Sequence, residues 1–393
     1  MLPPATGRRE PLIPSPQASP TPSSVPVPHV GSLHVRLDDV ARRARVSLST
    51  ASRVINDNGY PVAEATRQRV LDAVRDLNYS PSVLARALVT KRTQMIGVIV
   101  GDVTDPFFSE IVRGVEDVAR RQGYLVIICN ADRDPATELS YLRALLGYRV
   151  DGVILAGGGS LDETHREPHR QAVASLERQG SVVVSLAEVP SAVPCFSIDN
   201  RAAAAALACH LRDLGHTRIA VIAGPEHITT ARARLTGVRD VLGQRGIPPE
   251  WLVNGGFTVD GGELAASTLL TKTFRPTAII ALNDQMAVGA VATAHRLGLH
   301  LPADLSIVGF GDTTAARQTW PTLTTISVPR HELGALATNA ILLQLDDGAP
   351  VASRQLDFTL TVRGTSGPPP ARLRAVSRRN PTGSSRLPAP HRT

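Results

Sequence analysis

The stretch from Leu37 to Asn56 constrains the fold of this chain most, because two short helical patterns meet there with almost no residues between them. Small apolar residues recur through both patterns at helical spacing, so they can bury one shared core. Ser47 precedes the second pattern and is a good N-cap, since its hydroxyl can accept a hydrogen bond from a first-turn backbone N–H. The segment therefore predicts two helices joined by a tight turn. Its apolar positions are Val40, Ala41, Ala44, Val46, Ala51, Val54 and Ile55.

The second predicted helix keeps a mostly polar outer face. Leu48, Ser49, Ser52, Arg53 and Asn56 are left for that face. Short polar groups around one Arg suit the major groove of DNA, where a guanidinium can form two hydrogen bonds with a guanine edge. A generic two-helix corner with a solvated Arg is the alternative that the pattern leaves open.

The net charge of +7 is concentrated toward the two ends of the chain. Residues 34–92 contain eleven Arg or Lys and six Asp or Glu, residues 366–393 contain six Arg and no acid, and residues 93–365 are net acidic. A basic head on an acidic body is typical of a protein that binds a polyanion at one end. For the C-terminal Arg cluster we favour a disordered, solvated tail.

Composition and motifs argue against a membrane or secreted protein and against a disulfide framework, a metal site or a cofactor site. No run approaches the roughly 20 apolar residues that cross a bilayer, and the first thirty residues lack the apolar segment of a secretory signal, so we expect a cytoplasmic protein without membrane contact. Cys129, Cys195 and Cys209 are scattered without ligand spacing, which predicts neither a disulfide framework nor a metal site. The run at 157–159 is Gly-Gly-Gly and lacks the spacing of a phosphate-binding loop, so we interpret it as a flexible strand exit and predict no cofactor.

Changes of pattern along the chain predict five segments. Residues 1–32 are rich in Pro and Ser and are expected to form a disordered tail. Residues 33–80 hold the two-helix motif and a third helix. Residues 81–92 have room only for a short helix and a linker, and so short a helix is marginal alone in water. Residues 93–365 form a body of alternating strands and helices, and residues 366–393 form an Arg- and Pro-rich disordered tail.

Seven runs of Val, Ile and Leu alternate with helical patterns through the body. Continuous apolar runs are typical of parallel strands that are buried on both faces of a sheet. Their number predicts two doubly wound lobes with a cleft between them, and the carboxyl ends of the strands are where such sheets place ligands. The runs are Ile96–Val100, Tyr124–Cys129, Gly152–Ala156, Val182–Leu186, Arg218–Ala223, Ala278–Leu282 and Leu305–Phe310.

Several ordered motifs carry a resemblance to a known family. They are Asp39-Val40-Ala41, Ser52-Arg53-Val54, Asn78-Tyr79, Leu84-Ala85-Arg86-Ala87-Leu88, Asp105-Pro106-Phe107-Phe108, Asn283-Asp284-Gln285 and Leu323-Thr324-Thr325-Ile326. With them the chain resembles the LacI/GalR family of bacterial transcription regulators from about Leu33 to Thr365. The resemblance implies an N-terminal all-α helix-turn-helix head with a hinge helix, followed by an α/β, two-lobed, periplasmic-binding-protein-like body that binds an effector and dimerises. It further implies a homodimer, or a higher oligomer, on double-stranded operator DNA.

Carried over by position, the resemblance assigns DNA contacts to the second helix of the head. Base edges fall to Leu48, Ser49 and Arg53, and phosphates to Ser47, Thr50, Ser52 and Asn56. Arg45 departs from the family, which usually has Gly in this turn. An Arg there needs either the left-handed conformation or a different turn.

The resemblance also implies a DNA contact by the hinge helix, from Ser82 to Leu88. This helix would pair with that of a second copy in the minor groove. Leu88 would then be an apolar wedge between base pairs that kinks the duplex, and Ala85 is small enough to pack closely. Read without the family, Leu84 and Leu88 are an apolar pair on an amphipathic helix.

In the cleft, the family's effector contacts match a set that combines rings with hydrogen-bonding groups. Rings can stack on the apolar face of a sugar or base while Arg, Asn and Asp bond its hydroxyls. We expect a sugar-like effector, with Arg232 as the strongest candidate among its contacts. Gly311-Asp312 holds one acid where the family has two, which leaves the ligand class open. The set is Phe107, Phe108, Asn130, Arg232, Phe257, Asn283 and Asp312.

Three other interpretations compete with a sugar-controlled repressor. A regulator that responds to a nucleoside or purine-type ligand would use the same cleft. A solute-binding protein would share the two-lobed body, but neither the missing signal nor the basic head suits it. An α/β enzyme would need a nucleophile–base pair or a metal cluster, and none stands out in the sequence, so we predict that the chain is not an enzyme.

Overall fold

The computed structural model describes residues 35–56, 60–80, 92–243 and 246–371. The chain divides into two units, residues 1–82 and residues 83–393. The predicted hinge helix, with Ser82, Ala85 and Leu88, lies outside the described residues. The helices are α1 Leu37–Ala44, α2 Leu48–Asn56, α3 Glu64–Asp76, α4 Pro106–Arg121, α5 Pro135–Tyr148, α6 Glu163–Arg178, α7 Asn200–Asp213, α8 Thr229–Leu242, α9 Val259–Leu270, α10 Asp284–Arg296, α11 Thr314–Gln318 and α12 Arg330–Asp347. The strands are β1 Met95–Val100, β2 Leu125–Asn130, β3 Gly152–Ala156, β4 Val182–Ser185, β5 Phe196–Ile198, β6 Ile219–Ala223, β7 Leu252–Asn254, β8 Ala278–Ala281, β9 Ser306–Gly311, β10 Thr324–Ser327, β11 Arg354–Leu356 and β12 Thr359–Thr361.

The head packs α1, α2 and α3 around small apolar side chains, which confirms the predicted helix-turn-helix core. Arg45 adopts the left-handed conformation, with φ 56° and ψ 49°, and its backbone N–H bonds to carbonyl oxygens at the end of α1. Ser47 Oγ accepts a hydrogen bond from the Thr50 backbone N–H at 3.1 Å. The turn and the N-cap therefore both form without a glycine. The buried set is Val40, Ala41, Ala44, Ala51, Val54, Val70 and Ala73.

The first lobe of the body is a four-stranded parallel sheet in the order β2-β1-β3-β4. In its register Val98 of β1 lies between Ile128 of β2 and Ile154 of β3. Helices α4, α5, α6 and α12 cover the sheet, and β2 and β4 are its edge strands. Asp105 begins α4, because its carboxylate accepts the Phe107 backbone N–H at 3.0 Å.

The second lobe is a six-stranded sheet in the order β12-β10-β9-β8-β6-β7, in which only β12 runs antiparallel to its neighbour. Helices α7, α9 and α10 pack with this sheet, α8 packs against α7, and β5 and β11 form a separate parallel pair. The chain enters this lobe after β4, returns to the first lobe in α12 and comes back to the second in β12. The two doubly wound lobes that the sequence predicts are confirmed.

Two glycines bring helices α4 and α12 of the first lobe into backbone contact. A Cβ on Gly114 would lie 2.0 Å from the carbonyl oxygen of His331, and one on Gly334 would lie 2.1 Å from that of Ile111. No larger residue fits at either position without separating the two helices.

The body extends past its predicted end at Thr365. His216 is buried and bonds through Nε2 to the carbonyl oxygen of Gly367 at 2.9 Å, and the Ser306 hydroxyl meets the same residue at 3.0 Å. These buried bonds hold Gly367 against β9, so the segment predicted as a tail from 366 onward is ordered at its start. None of the described helices is both long and apolar enough to span a membrane.

Candidate functional site

The outer face of α2 carries the side chains that the sequence assigns to DNA. Leu48 is 51% exposed although it is apolar, Ser49 and Arg53 are exposed, and Thr50 and Ser52 are half-buried. A solvated Leu at the start of a helix gains nothing for the head itself. It is therefore available to an apolar partner such as a thymine methyl group. The side chain of Asn56 lies outside the described residues.

Ser47 and Arg53 are both held in place before any DNA arrives. Ser47 Oγ lies 2.9 Å from Ser49 Oγ and 2.8 Å from Thr50 Oγ1, so three hydroxyls cluster at the first turn of α2. The Arg53 guanidinium lies over the Tyr60 ring, 5.1 Å from its centroid. This contact orients a long side chain at little cost.

Several other Arg side chains of the head are paired with acids. Arg42 bonds Asp38 at 2.5 Å, and Arg43 bonds Asp76 at 2.6 Å. Both pairs are exposed, so they contribute little to stability. They do reduce the positive field at α1 and α3, which leaves the face of α2 as the better place for a polyanion.

A cavity of about 70 Å³ lies between the two lobes of the body, at the carboxyl ends of both sheets. Four rings line it, and so do two guanidiniums, two carboxylates and two amides. The rings are Phe107, Phe108, Phe257 and Phe310, and the ionic and amide side chains are Asp105, Arg133, Asn200, Arg234, Asn283 and Asp284. A mostly apolar cavity with a few converging polar groups is the usual form of a small-molecule site.

Arg234 is the central polar group of this cavity. Its Nε donates to Asn200 Oδ1 and its Nη1 to the carbonyl oxygen of Leu282, both at 2.8 Å. Burial lowers the pKa of the guanidinium to about 9, which still leaves it charged at neutral pH. Among the residues that the structure describes, Nη2 has no hydrogen-bond partner. It is the donor that remains for a ligand.

Asp105 and Arg133 form the polar end of the cavity in the first lobe. Arg133 bonds Asp102 at 2.8 Å and Asp105 at 3.2 Å, and its guanidinium lies 5.8 Å from the centroid of the Phe257 ring of the second lobe. Burial raises the pKa of the Asp105 carboxyl, while the positive charge of Arg133 opposes that shift. The pair therefore offers a ligand both an acceptor and a donor.

Asn283 and Asp284 are committed to holding the second lobe in shape. Asn283 donates to the carbonyl oxygen of Phe257 at 3.0 Å and accepts from the Met286 backbone N–H at 2.9 Å. The Asp284 carboxylate accepts the Thr325 hydroxyl at 2.6 Å and the Thr313 N–H at 2.7 Å. Burial raises the pKa of Asp284. Asn283 and Asp284 fix the backbone around Phe257 and at the end of β9, so they affect a ligand mainly by positioning those two segments.

Four of the seven residues assigned to the effector are brought together at the cavity. They are Phe107, Phe108, Phe257 and Asn283.

The structure does not bring Arg232, Asn130 or Asp312 to the cavity. Arg232 is exposed on α8, because the buried side of that helix carries Ala231, Arg234 and Val238. Asn130 Oδ1 accepts the Val103 backbone N–H at 3.0 Å, and Asp312 is paired with Arg363 at 2.7 Å. We therefore move the role expected of Arg232 to Arg234.

Sequence reasoning did not assign Asp105, Asn200, Arg234 and Asp284 to the site, although Asp105 and Asp284 stand in motifs that it singled out. Arg133 had no such signal. Within the described ranges, no cluster of His, Cys, Asp or Glu has the makings of a metal site.

Comparison with known proteins gives matches to both units. Residues 36–82 match the family described as bacterial regulatory proteins, lacI family, and residues 208–366 match a periplasmic binding protein-like domain. The chain is 37% identical over 334 residues to the ribose operon repressor of Escherichia coli (strain K12), covering 84% of this chain and 99% of the relative. It is 35% identical over 309 residues to catabolite control protein A of Priestia megaterium, covering 78% and 91%. A crystal structure of the lac repressor dimer bound to operator and the anti-inducer ONPF matches with a TM-score of 0.73 and 29% identity, covering 85% of this chain and 99% of that one.

Proposed function

Because the chain belongs to the lacI family of bacterial regulatory proteins, we propose that the cavity around Arg234 binds the effector that controls its affinity for operator DNA. The protein is a ligand-controlled, DNA-binding transcription repressor that acts as a homodimer, and it is not an enzyme. The observation that carries the proposal is the buried Arg234, since its Nη2 lacks a partner within the described residues while its other nitrogens are held in place. We place the protein in the cytoplasm, where chromosomal DNA is accessible to it.

The proposed effector is a single small sugar. Rings can cover the apolar face of a pyranose or furanose, and Arg234 with Asp105 and Arg133 can bond its hydroxyls. The cavity of about 70 Å³ has room for several water molecules, and a single sugar ring would take their place. The similarity to the ribose operon repressor makes D-ribose the first sugar to test.

A nucleoside or purine-type ligand is the second candidate. The four rings around the cavity would also stack on a base. Because a nucleoside is about twice the size of a pentose, it would need the lobes to separate further than they do here.

On the DNA side, we propose that Leu48, Ser49 and Arg53 read base edges while Ser47, Thr50, Ser52 and Asn56 hold phosphates. The exposure of the first three supports this division. Ser82, Ala85 and Leu88 keep their proposed minor-groove role, with Leu88 as the wedge. Two copies would then read two half-sites of a near-palindrome.

The test is a gel shift of the full chain on the DNA upstream of its own gene, titrated with D-ribose, other monosaccharides and nucleosides. We expect one small sugar to change the operator affinity by more than tenfold, since a ligand shifts the equilibrium only through its different affinities for the two states. Arg234→Lys should raise the sugar concentration needed for that change by about tenfold or more, and Arg232→Lys should leave that concentration unchanged. Specific operator binding that no sugar or nucleoside alters would refute the effector proposal.

A further inference from the structure

The Gly-Gly-Gly run after β3 joins the two lobes across the rim of the cleft. Residues 158–161 of the first lobe lie beside residues 227–230 of the second, and we call these two segments the rim pair. The Leu161 backbone N–H donates to the carbonyl oxygen of His227 at 2.6 Å, and that of Thr230 donates to Gly158 at 3.3 Å. Ser160 and Ile228 form an antiparallel bridge. A short piece of sheet therefore crosses from one lobe to the other.

Thr229 adds a side-chain bond to the rim pair. Its hydroxyl lies 2.5 Å from the carbonyl oxygen of Gly158 and 3.0 Å from that of Glu188. Thr229 is the first residue of α8, whose N-cap is Ile228 and which has no side-chain cap bond. Its hydroxyl does not cap its own helix. Here it is used between the lobes.

Gly159 is required by this close approach. Its φ is +72°, and a Cβ at this position would lie 2.0 Å from the carbonyl oxygen of Glu188 and 2.5 Å from Thr229 Oγ1. Gly158 also has a positive φ, of 96°. The run is therefore a fixed contact between lobes, which corrects its interpretation as a flexible strand exit.

The rim pair also forms part of the wall of the effector cavity. Gly157, Gly158, Ile228 and Thr230 all line it. Any ligand that passes this side of the cleft must separate two backbone segments that are bonded to each other. Breaking the rim pair and opening the cavity are then the same movement.

We propose that the rim pair is a latch, which holds the lobes together and must open for the effector to enter the cavity. The proposal rests on the effector site assigned above and adds a step to its regulation. Effector access then depends on the strength of the rim pair. Substitutions there change how often the cavity opens without altering the groups that bind the ligand.

Amide hydrogen exchange on the full chain without ligand tests the latch directly. The amides of Leu161 and Thr230 report on it, because their acceptors belong to the opposite lobe. Thr229→Val keeps the side-chain shape and removes the hydroxyl, and Gly159→Ala adds the clashing Cβ. In both variants we expect these two amides to exchange about tenfold faster or more, while amides of β1 and β8 keep their rates.

Two matched variants serve as controls. In Thr236→Val the lost hydroxyl bonds the carbonyl oxygen of Arg232 on the same helix, at 2.8 Å. In Gly180→Ala the residue has a φ of +97°, but no described residue lies within 4 Å of the added Cβ. Neither should speed exchange at Leu161 or Thr230.

Unchanged exchange at these amides in Thr229→Val would overturn the latch, and so would rapid exchange of both in the parent chain. The gel shift, run on the same preparations, tests the effector proposal separately. A chain that responds to a sugar but shows no protected rim amides retains its proposed function and loses the latch. A chain whose rim amides are protected but that responds to no ligand retains the latch and loses the proposed function.

Discussion

The guanidinium carbon of Arg234 lies 3.8 Å from the centroid of the Phe310 ring, and Phe310 is 1% exposed. A cation so close to the face of a buried ring is attracted by the ring quadrupole, which helps to offset the loss of water around the charge. Asn200 and the carbonyl oxygen of Leu282 fix the direction of the Arg234 guanidinium. The cavity thus contains a charged donor whose position is set before the ligand arrives.

Replacing Arg234 with Lys should weaken effector binding by about 1.5–3 kcal/mol, the range for a hydrogen bond to a charged group. The ammonium keeps the charge but cannot bond two fixed partners and a ligand in one plane. Calorimetry with the sugar that stabilises the parent chain measures the effect. Arg232→Lys, on the exposed side of the same helix, is the control and should bind as the parent does. Equal losses in the two variants would remove Arg234 from the site.

Substituting Arg53 with Ala should cost about 1–3 kcal/mol of operator affinity and relax the preference at one base position, because a two-bond contact with a base edge is lost. Binding to a panel of single-base operator variants measures both effects. Arg75→Ala is the control, since Arg75 is an exposed Arg of α3 that is paired with Asp72. If the Arg53 variant lost affinity equally on every operator, the residue would contact phosphate and not a base.

The stability of the body should fall as the pH drops below about 6.5, the ordinary pKa of His. Burial lowers the pKa of His216 in the folded chain, and the nearby His210 lowers it further. The unfolded chain then binds a proton at a pH where the folded chain does not, so acidification favours unfolding. Thermal unfolding between pH 7.5 and pH 5 should show this loss.

His216→Gln should reduce the acid sensitivity, at the cost of lower stability at pH 7.5 where the imidazole bonds Thr277 and Gly367. His295→Gln, at an exposed position, should leave the pH dependence unchanged. If the melting temperature of the parent chain did not change between pH 7.5 and pH 5, His216 would not control the stability of the body in this range.

Replacing Ile128 with Asp should weaken the dimer. Ile128 is 43% exposed and Leu125 is 62% exposed on β2, an edge strand of the first lobe, and exposed apolar residues on an edge favour association with another chain. Sedimentation velocity should show more monomer in Ile128→Asp. Tyr148→Asp, which changes an exposed residue at the end of α5, should sediment as the parent does. A fully dimeric Ile128 variant would place the interface on another face.

The long apolar runs and the head core were predictable because burial on both sides of a strand, or inside three short helices, leaves a strong pattern. The short strands were not. β10 is Thr-Thr-Ile-Ser, and its Thr324 is buried because the carbonyl oxygen of Arg363 and the Ser366 hydroxyl satisfy its own hydroxyl. Those partners are about 40 residues away in sequence, so no local pattern contains them.

Of two cavity residues, Arg234 lies in a sequence pattern that predicts its burial, and Arg133 does not. The buried side of α8 repeats at Ala231, Arg234 and Val238, and that helical spacing favours Arg234 over Arg232, which we had expected in its place. Arg133 enters the cavity because two successive residues adopt positive φ, 51° at Asp132 and 56° at Arg133. Left-handed backbone at two non-glycine residues is a product of the assembled lobe and cannot be predicted from the sequence around it.

The backbone contact of α4 and α12 at Gly114 and Gly334 has a mechanical consequence. Helix α4 begins at the effector cavity with Phe107 and Phe108 and continues for 16 residues, roughly 24 Å. The two helices have no side chains between them at that contact, so no change of rotamer there can compensate for a displacement of one helix. A displacement of Phe107 and Phe108 must therefore move α4 and α12 together. At the far side of the lobe the two helices are then translated as one rigid pair.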